Sequence, residues 1–535
     1  MHHFPVIIIG GGITGIGVLR DLSMRGVKAL LLEQKDLSNG ASSRFHGLLH
    51  SGARYAVNDP VAGAECIKEN EILRNIASNC IEFTEGIFAS IPEDDEEYEK
   101  RWFQACQTAG VRTVPLTVKE ALRLEPNLSE NIRSAYTVPD SAVDGFRLVW
   151  QNAKSALRYG GKLRTYAEVA NIYVKNGIVT GVEVKDSAKH TFEDISCDYI
   201  INASGSWSGM VAEMAGATVN VMPDRGLLLA FNHRFTSHVI NRLHAPGDGD
   251  IFVPHGSITI LGTTSTRVDN PADNRIDSSE CLALLEMGKK LFPKIDGYRI
   301  LRGFAGTRPL FRSNCATKGR ATTRNFAVMD HETEGLKGFA TIVGGKFTTY
   351  RLMAEKISDL VARKLGNIVP CRTADEPLVE PVSGNVITDA KKFFPAMGVN
   401  LSISRQGEDF AKIVGRIEND RSKKALLCEC ELVTRAEFEE IASQSTSHSL
   451  GDVRRRTRIG MGTCQGNFCG LRSVGALAET ELMKSALPSF LLKNFVEERW
   501  HGIRPMLWGT QIKEVELSRG IYGTMLNVDG TDYEE

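Results

Sequence analysis

No stretch of this 535-residue chain stays apolar for the roughly 18 residues that a membrane-spanning helix needs. Charge of either sign is not in excess: 64 lysines and arginines stand against 65 aspartates and glutamates. No global field therefore favours nucleic acid or an anionic membrane surface, and any anion selectivity has to be local. The N-terminus lacks the ordered basic region, apolar core and small-residue cleavage site of a signal peptide, because Val6 to Ile9 run directly into glycines. These absences predict a cytoplasmic chain; if it reaches a membrane, a partner protein takes it there, peripherally and at the inner face. In that reducing setting cysteines are expected as core residues, metal ligands or redox groups rather than disulfides. They are few, eleven in all, yet Cys428, Cys430, Cys464 and Cys469 crowd near the far end. The length exceeds what one hydrophobic core serves, so two to four domains are expected.

The clearest local pattern lies at the start. In "PVIIIGGGITGIGVLRDLSMRGVKALLLEQ" the β-branched run Val6 to Ile9 predicts a buried strand. After a glycine turn, a helix over about Thr14 to Arg25 leads to a second strand ending at Glu33. Gly10, Gly12 and Gly15 form a G-x-G-x-x-G in this βαβ setting, with Glu33 placed to accept hydrogen bonds from a ribose. Gly10 permits the turn, Gly12 lets backbone approach a pyrophosphate, and Gly15 allows close packing. The helix N-terminus at Ile13 and Thr14 then faces phosphate. The pattern predicts a dinucleotide without separating NAD from FAD. The polar loop that follows, "SNGASSRFHGLLHSGARYAV", favours FAD, because a nicotinamide enzyme more often continues into its next βα repeat.

At these residues the chain resembles the glycerol-3-phosphate dehydrogenase branch of the FAD-dependent oxidoreductases related to D-amino acid oxidase. The resemblance implies an α/β fold, with a Rossmann-type FAD-binding domain and an interwoven antiparallel β-sheet substrate domain. It implies flavin contacts from Ser42, Ser43, Arg44, His46, Gly47, Leu49, His50 and Ser51, a substrate-phosphate contact from Arg54, and a pocket position for Tyr55. On the residues alone, Arg54 also reads as a surface ion pair. Single-chain, membrane-bound members place a histidine in the "DRGLLLAF" region, where this chain has Gly226 and Leu227.

From Gly161 to Asp186 an alternating pattern about Asn176-Gly177 predicts a hairpin. "CDYIINASGSW" then resembles the second flavin-domain motif of the family, with Ala203 and Gly205 beneath the adenosine, although an ordinary strand-end turn reads the same way. The strand-like stretches between Met222 and Gly262 are assigned to a substrate-domain sheet inserted into the flavin domain. In "RILRGFAGTRPLF" the resemblance brings Arg308 to the substrate at the flavin face. An arginine holds its proton, so orientation and charge stabilisation come first for Arg308 and proton acceptance second. In "IVGGKFTTYRLM" a strand leads through Gly344 and Gly345 into Lys346, Phe347 and Thr348. Free N–H groups of the helix start there would face a negative group; the resemblance implies that this is the flavin pyrimidine edge, with Lys346 adding charge or holding the substrate hydroxyl, and a solvated loop lysine is the plainer reading.

The four clustered cysteines stand as C-x-C and C-x-x-x-x-C, spacings that match no zinc ribbon, and Thr434 with Glu437 predicts a capping box between them. Structural zinc, inert core cysteines and a four-thiolate [2Fe-2S] cluster all remain open on spacing. The arrangement is similar to a small, mainly helical bacterioferritin-associated-ferredoxin-like (BFD-like) domain, which implies [2Fe-2S]. "RRRTR", Arg454 to Arg458, is either a solvated face, an offset to cluster charge or a docking site.

Expected boundaries are an FAD-dependent oxidoreductase over 1–370, with FAD-binding parts at about 1–80, 145–215 and 325–370 and a substrate sheet at about 81–144 and 216–324. A linker follows at 371–422, the iron-sulfur domain at 423–480, and a tail at 481–535 suited to partner docking. Taken whole, the resemblance implies oxidation of sn-glycerol 3-phosphate to dihydroxyacetone phosphate, with hydride passing to flavin N5. Electrons would leave through [2Fe-2S] to partner B and C subunits and a quinone pool. The alternatives are a related FAD-dependent 2-hydroxy acid or secondary amine dehydrogenase, and a non-catalytic electron-transfer or assembly protein.

Overall fold

The computed structural model describes residues 2–187, 189–311, 325–480, 482, 487–509 and 511–525. The end of the expected substrate segment, 312–324, lies outside the described residues, as do much of 481–486 and 526–535. The chain divides into two compact units, one of residues 1–298 with 304–378, the other of 299–303 with 379–535. Among the described residues no helix is long and apolar enough to cross a membrane.

The first unit is built on two large sheets. β1 (His2–Ile9) lies between β2 (Ala29–Leu32) and Thr191–Asn202, parallel to both, and Phe339–Gly344 continues the parallel order beyond Asn202. β1 begins four residues before the expected Val6 because His2, His3 and Phe4 pair with Ile195, Ser196 and Cys197. The hairpin Ala167–Lys175 with Ile178–Asp186 turns at Asn176-Gly177 and adds antiparallel strands at the edge. α1 (Ile13–Met24) connects β1 to β2 and buries nearly all its length under Gly145–Arg158 and Tyr350–Lys364, whose Ile357 and Val361 are fully buried.

Among the described residues the second sheet has nine strands and draws on two distant segments: Gly86–Ser90, Val114–Leu116 and Ser134–Val138 stand beside strands from Val221 onward. Its junction is the parallel pairing of Val239–Arg242 with Gly86–Ser90. Strand Ile300–Phe311 lies against Val221–Phe231 and carries Arg308.

Among the described residues the second unit is mainly helical, with one short hairpin, Leu426–Cys428 with Val433–Thr434. The 371–422 segment expected as a linker holds three helices, Gly384–Ala390, Ala396–Gln406 and Phe410–Asn419. They fold because Val399, Phe410, Ile413 and Ile417 share a core with Ala436. The 481–535 segment likewise contributes Leu491, Leu492, Phe495 and Val496 to the core around Phe438 and Val453. Thr434 caps helix Arg435–Ala442 by accepting from the Glu437 N–H at 3.1 Å. The reciprocal bond of a capping box is absent, because the buried Glu437 carboxylate accepts from Arg405 at 2.7 and 2.8 Å and from Gln406 at 3.0 Å.

Candidate functional site

One cavity of about 430 Å³ runs through the first unit from the glycine turn to the second sheet. Its first wall is the β1–α1 turn: Gly10, Gly12, Ile13 and Thr14 line it, and Glu33 closes the end of β2. Gly10 has φ +113°, and a Cβ there would lie 2.7 Å from the Ala203 carbonyl oxygen. Gly15 faces away from the cavity; its Cβ would stand 2.0 Å from the Gly10 carbonyl oxygen, so only glycine lets α1 start so close to β1. The Glu33 carboxylate accepts from the N–H groups of Gly11 at 2.7 Å and Lys35 at 2.9 Å. Burial raises its pKa while those two N–H groups act in the opposite direction. Ser42 reaches across and accepts from the Ile13 N–H at 3.0 Å.

The middle wall comes from Ser42, Arg44, His46 and His50 on one side and Ala203 and Gly205 on the other. Ser43, Gly47, Leu49 and Ser51 do not reach it: the Ser51 N–H donates to buried Asp140 at 2.6 Å, and Leu49 sits fully buried in a two-residue strand. At the far end Gly344, Gly345, Lys346 and Phe347 turn from strand to helix. Thr348 stands behind that wall, its hydroxyl accepting the His50 N–H at 3.0 Å and tying the two loops together.

Three cations from distant segments line the same cavity. Arg54 and Tyr55 come from the turn after His50, Lys346 from the glycine turn, and Arg308 from its strand. Lys346 Nζ sits 4.7 Å above the Tyr55 ring, and the Tyr55 hydroxyl is 3.4 Å from His50 Nε2. Arg54 Nη2 donates to both oxygens of Asp250, at 2.9 and 2.8 Å. Burial disfavours both charges, but each holds the other ionised: the pKa of Arg54 is raised and that of Asp250 lowered. Arg308 donates to Asp224, to the Thr263 hydroxyl and to the Thr264 carbonyl. A Cβ at Gly226 would lie 2.3 Å from the Arg308 guanidinium, so a glycine at this position is what admits the arginine.

His46 lies between these cations. Burial first, then Arg54 and Arg308, lower its pKa to about 3, so it is neutral at physiological pH. Its Nδ1 accepts from the Leu48 N–H at 3.1 Å, which puts the proton on Nε2 and makes the ring a donor. Sequence patterns alone do not single out Asp250 and Asp224. Each lies far along the chain from the arginine it pairs, and only the "PGDGD" and "PDRG" turn chemistry hints at constrained carboxylates.

In the second unit the four cysteines come together. Cys430 Sγ is 3.9 Å from Cys464 Sγ, and the Cys469 thiol hydrogen-bonds with both Cys428 and Cys464. That contact is the main cause of a Cys464 pKa lowered to about 5; burial opposes it, and the N–H groups of Gly466 and Phe468 assist. Cys428 also receives N–H groups from Gly460 and Glu431. Convergent thiols with N–H donors aimed at sulfur are what a thiolate-held group requires. Among the described residues no three His, Cys, Asp or Glu side chains are arranged about a single metal ion.

Residues 5–351 match the family model described as "FAD dependent oxidoreductase". The chain is 40% identical over 521 residues to the A subunit of the anaerobic glycerol-3-phosphate dehydrogenase of Escherichia coli, covering 97% of this chain and 96% of that protein. It is 39% identical over 537 residues to the A1 subunit of the Haloferax volcanii enzyme of the same name, covering 98% and 91%. Among solved structures, the glycerol-3-phosphate dehydrogenase of Bacillus halodurans complexed with FAD superposes with a TM-score of 0.72 at 21% identity, covering 95% of this chain and 96% of that one. Glycine oxidase of Geobacillus kaustophilus gives 0.58 at 20%, covering 72% and 100%.

Proposed function

The chain belongs to the FAD-dependent oxidoreductase family, among the A subunits of anaerobic glycerol-3-phosphate dehydrogenases, and from that premise we propose that it oxidises sn-glycerol 3-phosphate to dihydroxyacetone phosphate. The observation that carries this reading is that Arg54, Arg308 and Lys346 line the same cavity as the glycine turn.

The residues around the turn fit FAD. Gly10 and Gly15 leave no room for a Cβ, the first turn of α1 lines the cavity, and Glu33 is available where a ribose would lie. Gly10, Gly12, Ile13, Thr14, Glu33, Ser42, Arg44, Ala203 and Gly205 would hold its dinucleotide part, and Gly344 to Phe347 its ring end. Bound FAD supplies a two-electron acceptor at N5.

The protein's own part is binding, orientation and charge. Arg54 serves as the phosphate ligand through charged hydrogen bonds, exchanging part of its bond to Asp250 for the substrate. Lys346 and Tyr55 hold the glycerol end. Arg308, its fork fixed by Asp224 and Thr264, orients the reacting carbon and stabilises charge that develops on the oxygen. His46, its Nδ1 taken by the Leu48 N–H and its proton on Nε2, has no lone pair left for a base, so the hydroxyl proton passes to solvent as the hydride leaves.

Cys428, Cys430, Cys464 and Cys469 would hold [2Fe-2S], which supplies one-electron carriage toward partner B and C subunits and a quinone pool. One of those partners would keep a cytoplasmic chain at the membrane. Iron and sulfide in one-to-one ratio, against zinc or no metal, test the thiol set. Steady-state turnover with glycerol 3-phosphate, 2-hydroxyglutarate and sarcosine tests the substrate. The Arg54–Asp250 pair favours the second reading, a substrate of lower charge than phosphate, and preferential turnover of sarcosine would establish it.

A further inference from the structure

The helix Pro488–Ile503 carries Arg499, whose side chain is the most conspicuous unexplained charge in the second unit. Only 3% of Arg499 is exposed. Its Nη2 donates to the Gln465 side-chain oxygen, and its Nε has no hydrogen-bond partner among the described residues. Around it Arg302 and Arg454 add positive charge, while Glu498 is the carboxylate that Arg454 takes. Burial and these arginines, opposed by Glu498 and Tyr522, depress the Arg499 pKa, the sign of a buried cation whose negative neighbours are outweighed. Guanidinium does not give up its proton in proteins, so the site needs an anion rather than a deprotonation.

Gln465 is the link to the thiols. It follows Cys464 directly, with φ +51° in the left-handed region. Its Nε2 donates to the carbonyls of Met461 and Gly462 at 3.0 and 2.8 Å, and its own carbonyl accepts from the Tyr522 hydroxyl at 3.2 Å. Phe495, one turn before Arg499, packs where a Cβ on Gly460 or Gly466 would stand. The loop that presents Cys464 is thus pinned from the C-terminal segment by Arg499, Tyr522 and Phe495.

We propose that Arg499 is a positioning residue for the thiol-held redox group, clamping the Cys464 loop through Gln465 and supplying the positive charge that offsets the thiolates. This rests on the [2Fe-2S] reading of the thiol set. A buried cation favours the reduced, more negative state of the group, so its removal lowers the midpoint potential. A unit charge roughly 10 Å away at an effective dielectric constant of about 20 changes a one-electron equilibrium by on the order of tenfold, about 59 mV.

The test is a potentiometric titration of the anaerobically purified full chain, followed by electron paramagnetic resonance, with R499Q and R499K beside the wild type. R499Q is expected to lower the potential by about that tenfold equivalent, and R499K, which keeps the charge, by less than half as much. An iron-loaded R499Q with unmoved potential overturns the proposal. If R499Q retains flavin but loads no iron, iron restored in R499K supports the clamp, and iron absent from both overturns it as mere packing. A wild type without iron overturns the [2Fe-2S] reading itself and this proposal with it, and that result appears before any variant is measured.

Discussion

Asp250→Asn separates a phosphate-binding Arg54 from a merely structural one. The pair is almost sealed, with 7% of the Arg54 side chain and 2% of the Asp250 side chain exposed. Asp250 also accepts the Gly247 N–H at 3.0 Å and stands 3.2 Å from His244 Nε2. Neutralising Asp250 leaves a buried guanidinium without its carboxylate, a loss of about 3 to 5 kcal/mol. An anion that binds Arg54 returns part of this, about 2.7 kcal/mol at a hundredfold excess over its Kd. Flavin fluorescence during heating reads the first unit alone, which avoids treating a two-unit chain as a single transition. The expected result is a lower flavin-release temperature for the variant in phosphate-free buffer. Glycerol 3-phosphate should then raise it by more than it raises the wild type. Equal stabilisation of both proteins would refute Arg54 as the phosphate ligand, and an unchanged ligand-free temperature would refute the buried pair.

Gly15→Ala should abolish flavin retention, because its Cβ would meet the Gly10 carbonyl oxygen at 2.0 Å; the flavin-to-protein absorbance ratio of purified protein reads this, and a wild-type ratio would contradict it. Buried Asp140 has its pKa raised from 3.8 to about 6, chiefly by burial and against the N–H of Ser51. The folded state therefore binds the proton more tightly, so this contribution is complete below about pH 4 and roughly 3 kcal/mol is lost as pH rises through 6. Urea unfolding of the flavin unit between pH 4 and 7 should show that loss in wild type and a flatter profile in Asp140→Asn; matching slopes would exclude Asp140 as the source. Arg308→Gln should lower kcat with glycerol 3-phosphate by about a hundredfold or more, with flavin content unchanged, as expected for a lost charge-stabilising donor. A change confined to KM would assign Arg308 to ground-state binding instead.

What the sequence made legible was local. Val6 to Ile9, the glycine turn and Glu33 lie within one βαβ unit, so their spacing reports their geometry, and α1 starts within a residue of expectation. Asn176-Gly177 dictated its hairpin for the same reason. Pairings across the chain were not legible: Arg54 and Asp250 stand 196 residues apart, and Arg308 and Asp224, 84 apart, meet through neighbouring strands of the second sheet. The helices at 384–419 illustrate a different loss. Phe410, Ile413, Val414 and Ile417 do follow helical spacing, but the polar "ADEPLVEPVSG" before them suggested a linker, and their partner Ala436 lies beyond the hairpin. The tail reads as an exposed docking segment from composition, because nothing in it announces that Phe495 and Arg499 fold back on the Cys464 loop.

In the proposed reaction this cavity brings glycerol 3-phosphate to a bound flavin. Anaerobic mixing of the flavin-loaded chain with sn-glycerol 3-phosphate, without any added acceptor, tests it most directly. Bleaching of the oxidised-flavin absorbance is expected, with formation of dihydroxyacetone phosphate, up to one per flavin from the flavin itself. A flavin that stays oxidised with glycerol 3-phosphate, yet is reduced by dithionite, would contradict it.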